Sequence, residues 1–206
     1  MHLKDCLMAQ PIEFYFDFVS PYSYLAITQL EKAFENQDVE WVYKPVFLGA
    51  LHQAQDMPSP AFIPNKAKWI YRDCHLWAKH YQVPLAWPAQ FPFNTMFLLR
   101  TSLFLQASQP EKIDEFVKQT FLAIWQDGLQ VGDEQAVQVH LQSLGFDVAA
   151  IIDGCQQQWV KDALKRSVSD AHELGLFGVP AFKVKDEVFF GQDRLMFVQQ
   201  ALESHC

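Results

Sequence analysis

Ser20 and Ser23 flank Pro21-Tyr22 directly after Ile12–Val19, an apolar run broken by Glu13, Tyr15 and Asp17. A serine followed by proline suits the start of a helix: the hydroxyl caps free N–H groups, and proline lacks the N–H that a first-turn residue would leave unpaired. A helix start also carries a positive field that favours an anion. A thiolate brought by another molecule is one such anion, and the Ser20 hydroxyl could donate a hydrogen bond to it. Disulfide exchange needs a thiol to attack and a thiol to resolve. Here both positions are serine, so that reaction is excluded at this turn, and Ser20 reads as a thiolate stabiliser rather than a covalent nucleophile. Tyr22 lies on the helix's apolar stripe and reads as packing; Ser23 reads as a first-turn residue.

The C-terminal end holds a second set of candidates. Val179-Pro180 sits in Gly175–Val184, and Gly191-Gln192-Asp193-Arg194 opens the last helix. Glycine allows close backbone approach, and the free N–H groups of a helix start suit a carboxylate. Asp193 can cap the helix, pair with an ammonium, or do both; Arg194 reads as a surface charge. Asn94, in Phe91-Pro-Phe-Asn-Thr-Met, could orient a substrate oxygen or cap a helix. Lys44, Lys66 and Arg100 are the cations that an anionic substrate could meet.

Together these ends resemble the thioredoxin superfamily, and more narrowly the 2-hydroxychromene-2-carboxylate isomerases, with their kappa-class glutathione transferase and DsbA-like relatives. The resemblance runs from about Ile12 to Leu202. It implies a Ser-Pro-x-Ser turn in place of the redox Cys-x-x-Cys, with a cis Val179-Pro180 bond facing it. It also implies glutathione as cofactor: Ser20 at the thiol, Val179 and Pro180 at the cysteinyl backbone, Gln192 and Asp193 at the γ-glutamyl group. Gln192 stands where kappa-class enzymes carry serine, as in many bacterial isomerases. The matching Asn of the loop after the second strand is missing from His52–Pro60, where Gln53, Gln55 or Asp56 would replace it. The implied activity is a glutathione-dependent isomerisation of an aromatic 2-oxo acid or its cyclic hemiketal, with Asn94 at the substrate. A kappa-like transferase releasing a conjugate and a non-catalytic thiol- or peptide-binding module are the alternatives.

These residues require a frame that brings both chain ends together. Ile12–Phe18 alternates as a strand, Tyr22–Phe34 carries a helical stripe, and Val39–Phe47 reads as a parallel second strand. A loop follows at Gln53–Pro64, and helical patterns run from Lys66 to Leu174. Within them Asp133 and Asp147 read as caps, and Gly145 and Gly154 as stops. Val160–Leu174 forms a return helix ended by Gly175. Ala181–Val184 and Val188–Phe190 make a hairpin around Asp186-Glu187, and a last helix runs Asp193–Leu202. The expected fold is α/β, thioredoxin-like, with a large all-helical insertion between strand 2 and the cis-proline strand. Residues 10–52 and 175–206 form the thioredoxin-like part and 53–174 the helical insertion.

With 206 residues, half of them hydrophobic, the chain can bury a sizeable core. Its 16 basic and 24 acidic side chains argue against nucleic acid or an anionic membrane as partner. No apolar run reaches the roughly 20 residues needed to span a bilayer. MHLKDCLMAQP lacks the apolar core of a secretory signal, and Cys6, Cys74, Cys155 and Cys206 form no paired motif, which suits a cytoplasmic protein. A metal site is not expected, since His75 and His80 diverge by about 140° around a helix. Phe47, Phe62, Trp69, Trp87, Phe91 and Phe93 could line a pocket for a small aromatic molecule. A homodimer is left open.

Overall fold

The computed structural model describes residues 10–204. The N-terminal segment read for a secretory signal, and Cys6 and Cys206, lie outside the described residues. Strand β1 (Gln10–Phe16) leads into α1 (Pro21–Ala33), which returns to β2 (Val39–Pro45). Six helices follow: α2 (Leu48–Ala54), α3 (Pro64–Tyr81), α4 (Met96–Ser108), α5 (Ile113–Trp125), α6 (Glu134–Ser143) and α7 (Val148–Gln156). Then come α8 (Gln158–Glu173), β3 (Ala181–Val184), β4 (Glu187–Phe190) and α9 (Leu195–Ser204).

The sheet has the order β2-β1-β3-β4. β1 is parallel to β2, with Ile12 opposite Trp41, and antiparallel to β3, with Phe14 opposite Phe182. The two chain ends therefore meet in the middle of one sheet, as a thioredoxin-like fold requires. Period-two alternation sends Ile12, Phe14 and Phe16 to one face and Tyr15 to the other. Both faces are covered. The first packs on a core of Tyr24, Leu30, Phe116, Phe121 and Trp125, while Tyr15 joins Leu51, Val168, Ala171 and Val179. Glu13 lies between Lys44 and Lys183, each 3.7 Å away on the flanking strands, so Lys44 is engaged in the sheet.

Several one-residue signals are borne out. Asp133 caps α6 by accepting from Gln135 N and Ala136 N, and Asp147 caps α7 by accepting from Ala150 N. Gly145 and Gly175 both have φ +76°, the left-handed geometry that ends a helix cheaply only at glycine. The hairpin turn is centred one residue earlier than expected, with Lys185 at φ +52°. β2 ends at Pro45, two residues short of Phe47.

Three details differ from expectation, the first for a reason of packing. Gly154 does not stop a helix; it lies inside α7, where a Cβ would come within 2.4 Å of the Phe104 ring. Its role is to let α4 approach closely. Gly154→Ala gains about 1 kcal/mol in helix propensity but forces the ring aside at about 1–3 kcal/mol. We expect a net loss near 1 kcal/mol, read as a fall in Tm of about 2–4 °C. The loop after β2 is preceded by the unforeseen α2 and contains a 3-10 turn at Pro60–Phe62. The last α-helix begins at Leu195, because Gln192–Arg194 form a 3-10 turn ahead of it.

No helix among the described residues is long and apolar enough to cross a membrane.

Candidate functional site

Ser20 begins α1 as its N-cap: its backbone is extended, and its Oγ accepts from Ser23 N at 3.2 Å. The same hydroxyl donates to the carbonyl of Val179 at 3.1 Å. That carbonyl precedes Pro180 across a cis peptide bond. Residues 159 apart in sequence thus hold each other through a hydrogen bond at a site where Ser20 and Val179 are both nearly sealed.

Beside this pair opens a cavity of about 460 Å³. Its walls are mainly apolar and include Phe47, Phe62, Phe91, Phe93 and Phe177. Trp125, fully buried, backs the wall: its ring stands 6.0 Å from Phe91 and 6.1 Å from Phe93, and its indole N–H donates to Phe18 O at 2.9 Å. That bond holds the turn leading to Ser20. Trp87 packs on Phe91 and Trp125 without lining the cavity. Trp69 is 60% exposed and lies under Arg72.

Asp17 is the polar residue that sequence reading passed over. The chain leaves the strand at Phe16, and Asp17 turns inward, fully buried, at the cavity edge. Its Oδ1 accepts from Thr95 Oγ1 at 2.6 Å and from Val19 N at 3.2 Å; its Oδ2 accepts from Leu48 N at 2.9 Å. These donors come from α1's entry turn, α2 and the loop before α4, so one carboxyl ties together three walls of the site. Burial pushes its pKa up to about 6, against the lowering effect of these hydrogen bonds.

The anchored α2 presents a second overlooked residue. Leu48 and His52 lie one helical turn apart on the same side, and both line the cavity. His52 is buried, its Nδ1 has no partner, and burial lowers its pKa. None of the three expected replacements for the loop asparagine lines the cavity. Gln55 turns away and donates to Leu176 O at 2.5 Å, while Gln53 and Asp56 are exposed. The cause is α2 itself: its inward face carries positions 48 and 52, and the next residues face outward or leave the helix.

The remaining candidates divide. Ser20, Val179 and Asn94 line the cavity. Asn94 is exposed, and its Oδ1 accepts from Met96 N at 2.9 Å at the start of α4. Pro180, Gln192 and Asp193 lie outside the lining. Gly191 N donates to Pro180 O at 2.9 Å, which joins the two segments. Gln192 is buried, and Asp193 pairs with Arg194, which is the exposed surface charge expected. Among the described residues no Lys or Arg lines the cavity; Lys66 is exposed on α3, and Arg100 lies half-buried on α4. Among the same residues no cluster of three His, Cys, Asp or Glu could hold a metal ion.

Tyr22 lines the cavity, but its hydroxyl donates to Asp73 on α3 at 2.8 Å. With the hydroxyl so engaged, Tyr22→Phe should cost about 1 kcal/mol of stability and leave any turnover within about twofold. Chemical denaturation and an activity assay on the same preparation check both.

Residues 11–203 match the family model described as DSBA-like thioredoxin domain. The 2-hydroxychromene-2-carboxylate isomerase of Sphingobium xenophagum is 28% identical over 195 residues, spanning 95% of this chain and 99% of its own length. Glutathione S-transferase kappa 1 of Caenorhabditis elegans is 24% identical, over 93% of this chain and 90% of its own. The solved structure of a 2-hydroxychromene-2-carboxylate isomerase superposes with a TM-score of 0.84 at 27% identity, over 95% of this chain and 96% of that one. The chain therefore belongs to the DsbA-like thioredoxin domain family and is similar to the 2-hydroxychromene-2-carboxylate isomerases in sequence and fold.

Proposed function

We propose that this chain is a glutathione-dependent isomerase of an aromatic 2-oxo acid or its cyclic hemiketal. The observation that carries the reading is the Ser20–Val179 hydrogen bond beside an aromatic-walled cavity. The two groups satisfy each other in the free protein, and each has a natural partner in a cysteinyl unit. Val179 O can accept a backbone N–H in the manner of an added strand. The Ser20 hydroxyl, released by that exchange, can turn to a sulfur without leaving a buried group unpaired. The residues therefore fit glutathione at its thiol end. Gln192 and Asp193, next to Pro180, are the groups to hold the γ-glutamyl end, and this requires Asp193 to share or give up Arg194.

Glutathione, held by Ser20 and Val179, would supply a thiolate able to add reversibly to a conjugated carbon and so free a double bond to rotate, with no net consumption of the thiol. The chain's own part is to favour the ionised thiol, through the Ser20 hydroxyl and the positive end of α1. It also keeps the aromatic ring against Phe47, Phe91 and Phe93, with Asn94 at a substrate oxygen. The relatives' isomerase names support the reaction class, and the kappa transferase relatives support the thiol.

The test follows the isomers of an aryl-substituted unsaturated 2-oxo acid by chromatography, with glutathione quantified before and after. Isomer interconversion with full recovery of glutathione is expected. Loss of glutathione in proportion to substrate would select the transferase, and binding of glutathione without turnover would select the binding module.

A further inference from the structure

Among the buried polar side chains that line the cavity, one is left without a partner. Asp17 receives three donors, Tyr22 is engaged with Asp73, Ser20 with Val179, and the Asn94 oxygen with Met96 N. His52 is the exception. It is 8% exposed and faces the cavity, and its Nδ1 is enclosed without a partner. A buried polar atom without a partner costs about 1–3 kcal/mol, which a hydrogen bond to a bound molecule would recover. The helix that carries the ring is anchored beside the cavity, because Leu48 N, one turn earlier, donates to Asp17 at 2.9 Å.

We infer that His52 donates an imidazole N–H to the carbonyl oxygen of the bound aromatic substrate. The inference rests on the isomerase reading for the identity of that carbonyl. As sulfur adds to the conjugated carbon, its lone pair becomes the C–S bond. The C=C pair moves to the adjoining bond, and the carbonyl pair comes to rest on oxygen. Expulsion of the thiolate reverses each shift, so no proton is gained or lost over the cycle. The charge on oxygen is transient and needs a donor held in advance. No Lys or Arg among the described residues lines the cavity, which leaves the imidazole as the donor best placed by burial. Burial lowers its pKa and keeps the ring neutral, a state that donates a hydrogen bond without releasing a proton.

Titration with 4-nitrophenol tests the donor without turnover, since the phenol and the phenolate absorb differently and the phenolate presents an aryl oxyanion. Wild type is expected to bind the phenolate in preference to the phenol. His52→Leu should weaken that binding about tenfold or more, and His52→Gln, which keeps a donor and folds with less disturbance, should fall between. In the isomerase assay kcat should drop in the same order. The thiolate absorbance of added glutathione should stay unchanged, since His52 acts on oxygen and not on sulfur. Equal phenolate affinity in wild type and both variants overturns the inference, as does absence of phenolate binding in wild type or loss of the thiolate band in His52→Gln. A His52-dependent phenolate site in a protein that turns over no oxo acid would keep the donor and remove the isomerase reading.

Discussion

Ser20→Ala is expected to lower isomerase turnover by up to about a hundredfold and to raise the thiol pKa of bound glutathione by about one to two. A hydrogen bond to a charged group is worth about 1.5–3 kcal/mol, and each pKa unit corresponds to about 1.4 kcal/mol. The helix field would remain, so some ionisation of the thiol should survive. Ultraviolet difference absorbance across pH reads the thiolate directly, and wild-type absorbance persisting in the variant would remove Ser20 from the mechanism. The structural cost is separable. Loss of the cap that Ser23 N donates to removes about 1 kcal/mol, a fall in Tm of about 2–4 °C for a chain of this size. That is too small to explain a hundredfold loss at ordinary temperature. Ser23→Ala is the natural control, because the buried Ser23 Oγ has no partner and its removal should leave the thiolate band intact.

Asp17→Asn should change how stability depends on pH. The folded-state carboxyl titrates at about 6, above the ordinary value of 3.8, and burial is the largest cause. The folded protein therefore holds this proton more tightly than the unfolded chain does. Below about pH 3 the group is protonated in both states and imposes no penalty. As pH rises through 6 it ionises in the folded state as well, at a cumulative cost of about 3 kcal/mol. The asparagine variant cannot ionise. The unfolding free energy of wild type minus that of Asp17→Asn should thus fall by about 3 kcal/mol between pH 3 and pH 7. The difference cancels the other carboxylates, whose titration acts on both proteins alike. A flat difference in denaturant titrations would show that the carboxyl is solvated, or that its three donors offset burial completely. Because those donors belong to three walls of the cavity, the variant should also loosen α2, and with it His52.

Much of the fold was legible because its signals are local. Alternation in Ile12–Phe16, proline after Ser20, the aspartate caps of α6 and α7, and glycines at the ends of α6 and α8 each act within a few residues. The sheet neighbours β1 and β3 were legible only through the resemblance between the two chain ends and known relatives, since nothing local relates residues 14 and 182. Gly154 shows the limit of local reasoning: a glycine near a helix end resembles a stop, yet Phe104 on another helix decides its role.

The site divides the same way. Sequence by itself determined that a hydroxyl would stand at a helix start and that no dithiol chemistry could occur there; the family resemblance set Val179-Pro180 and Gly191–Arg194 beside it. Only the tertiary structure decided which groups face the cavity. Asp17 looked like one polar member of an alternating strand; it became a buried junction because Leu48 and Thr95, 31 and 78 residues away, bring their donors to it. His52 lay in a stretch read as the edge of a loop. It became a cavity residue because α2 forms and turns positions 48 and 52 inward, leaving Gln53 and Asp56 exposed. Helix starts and turns are encoded where they occur, whereas burial and the absence of a hydrogen-bond partner belong to whatever else the chain packs nearby.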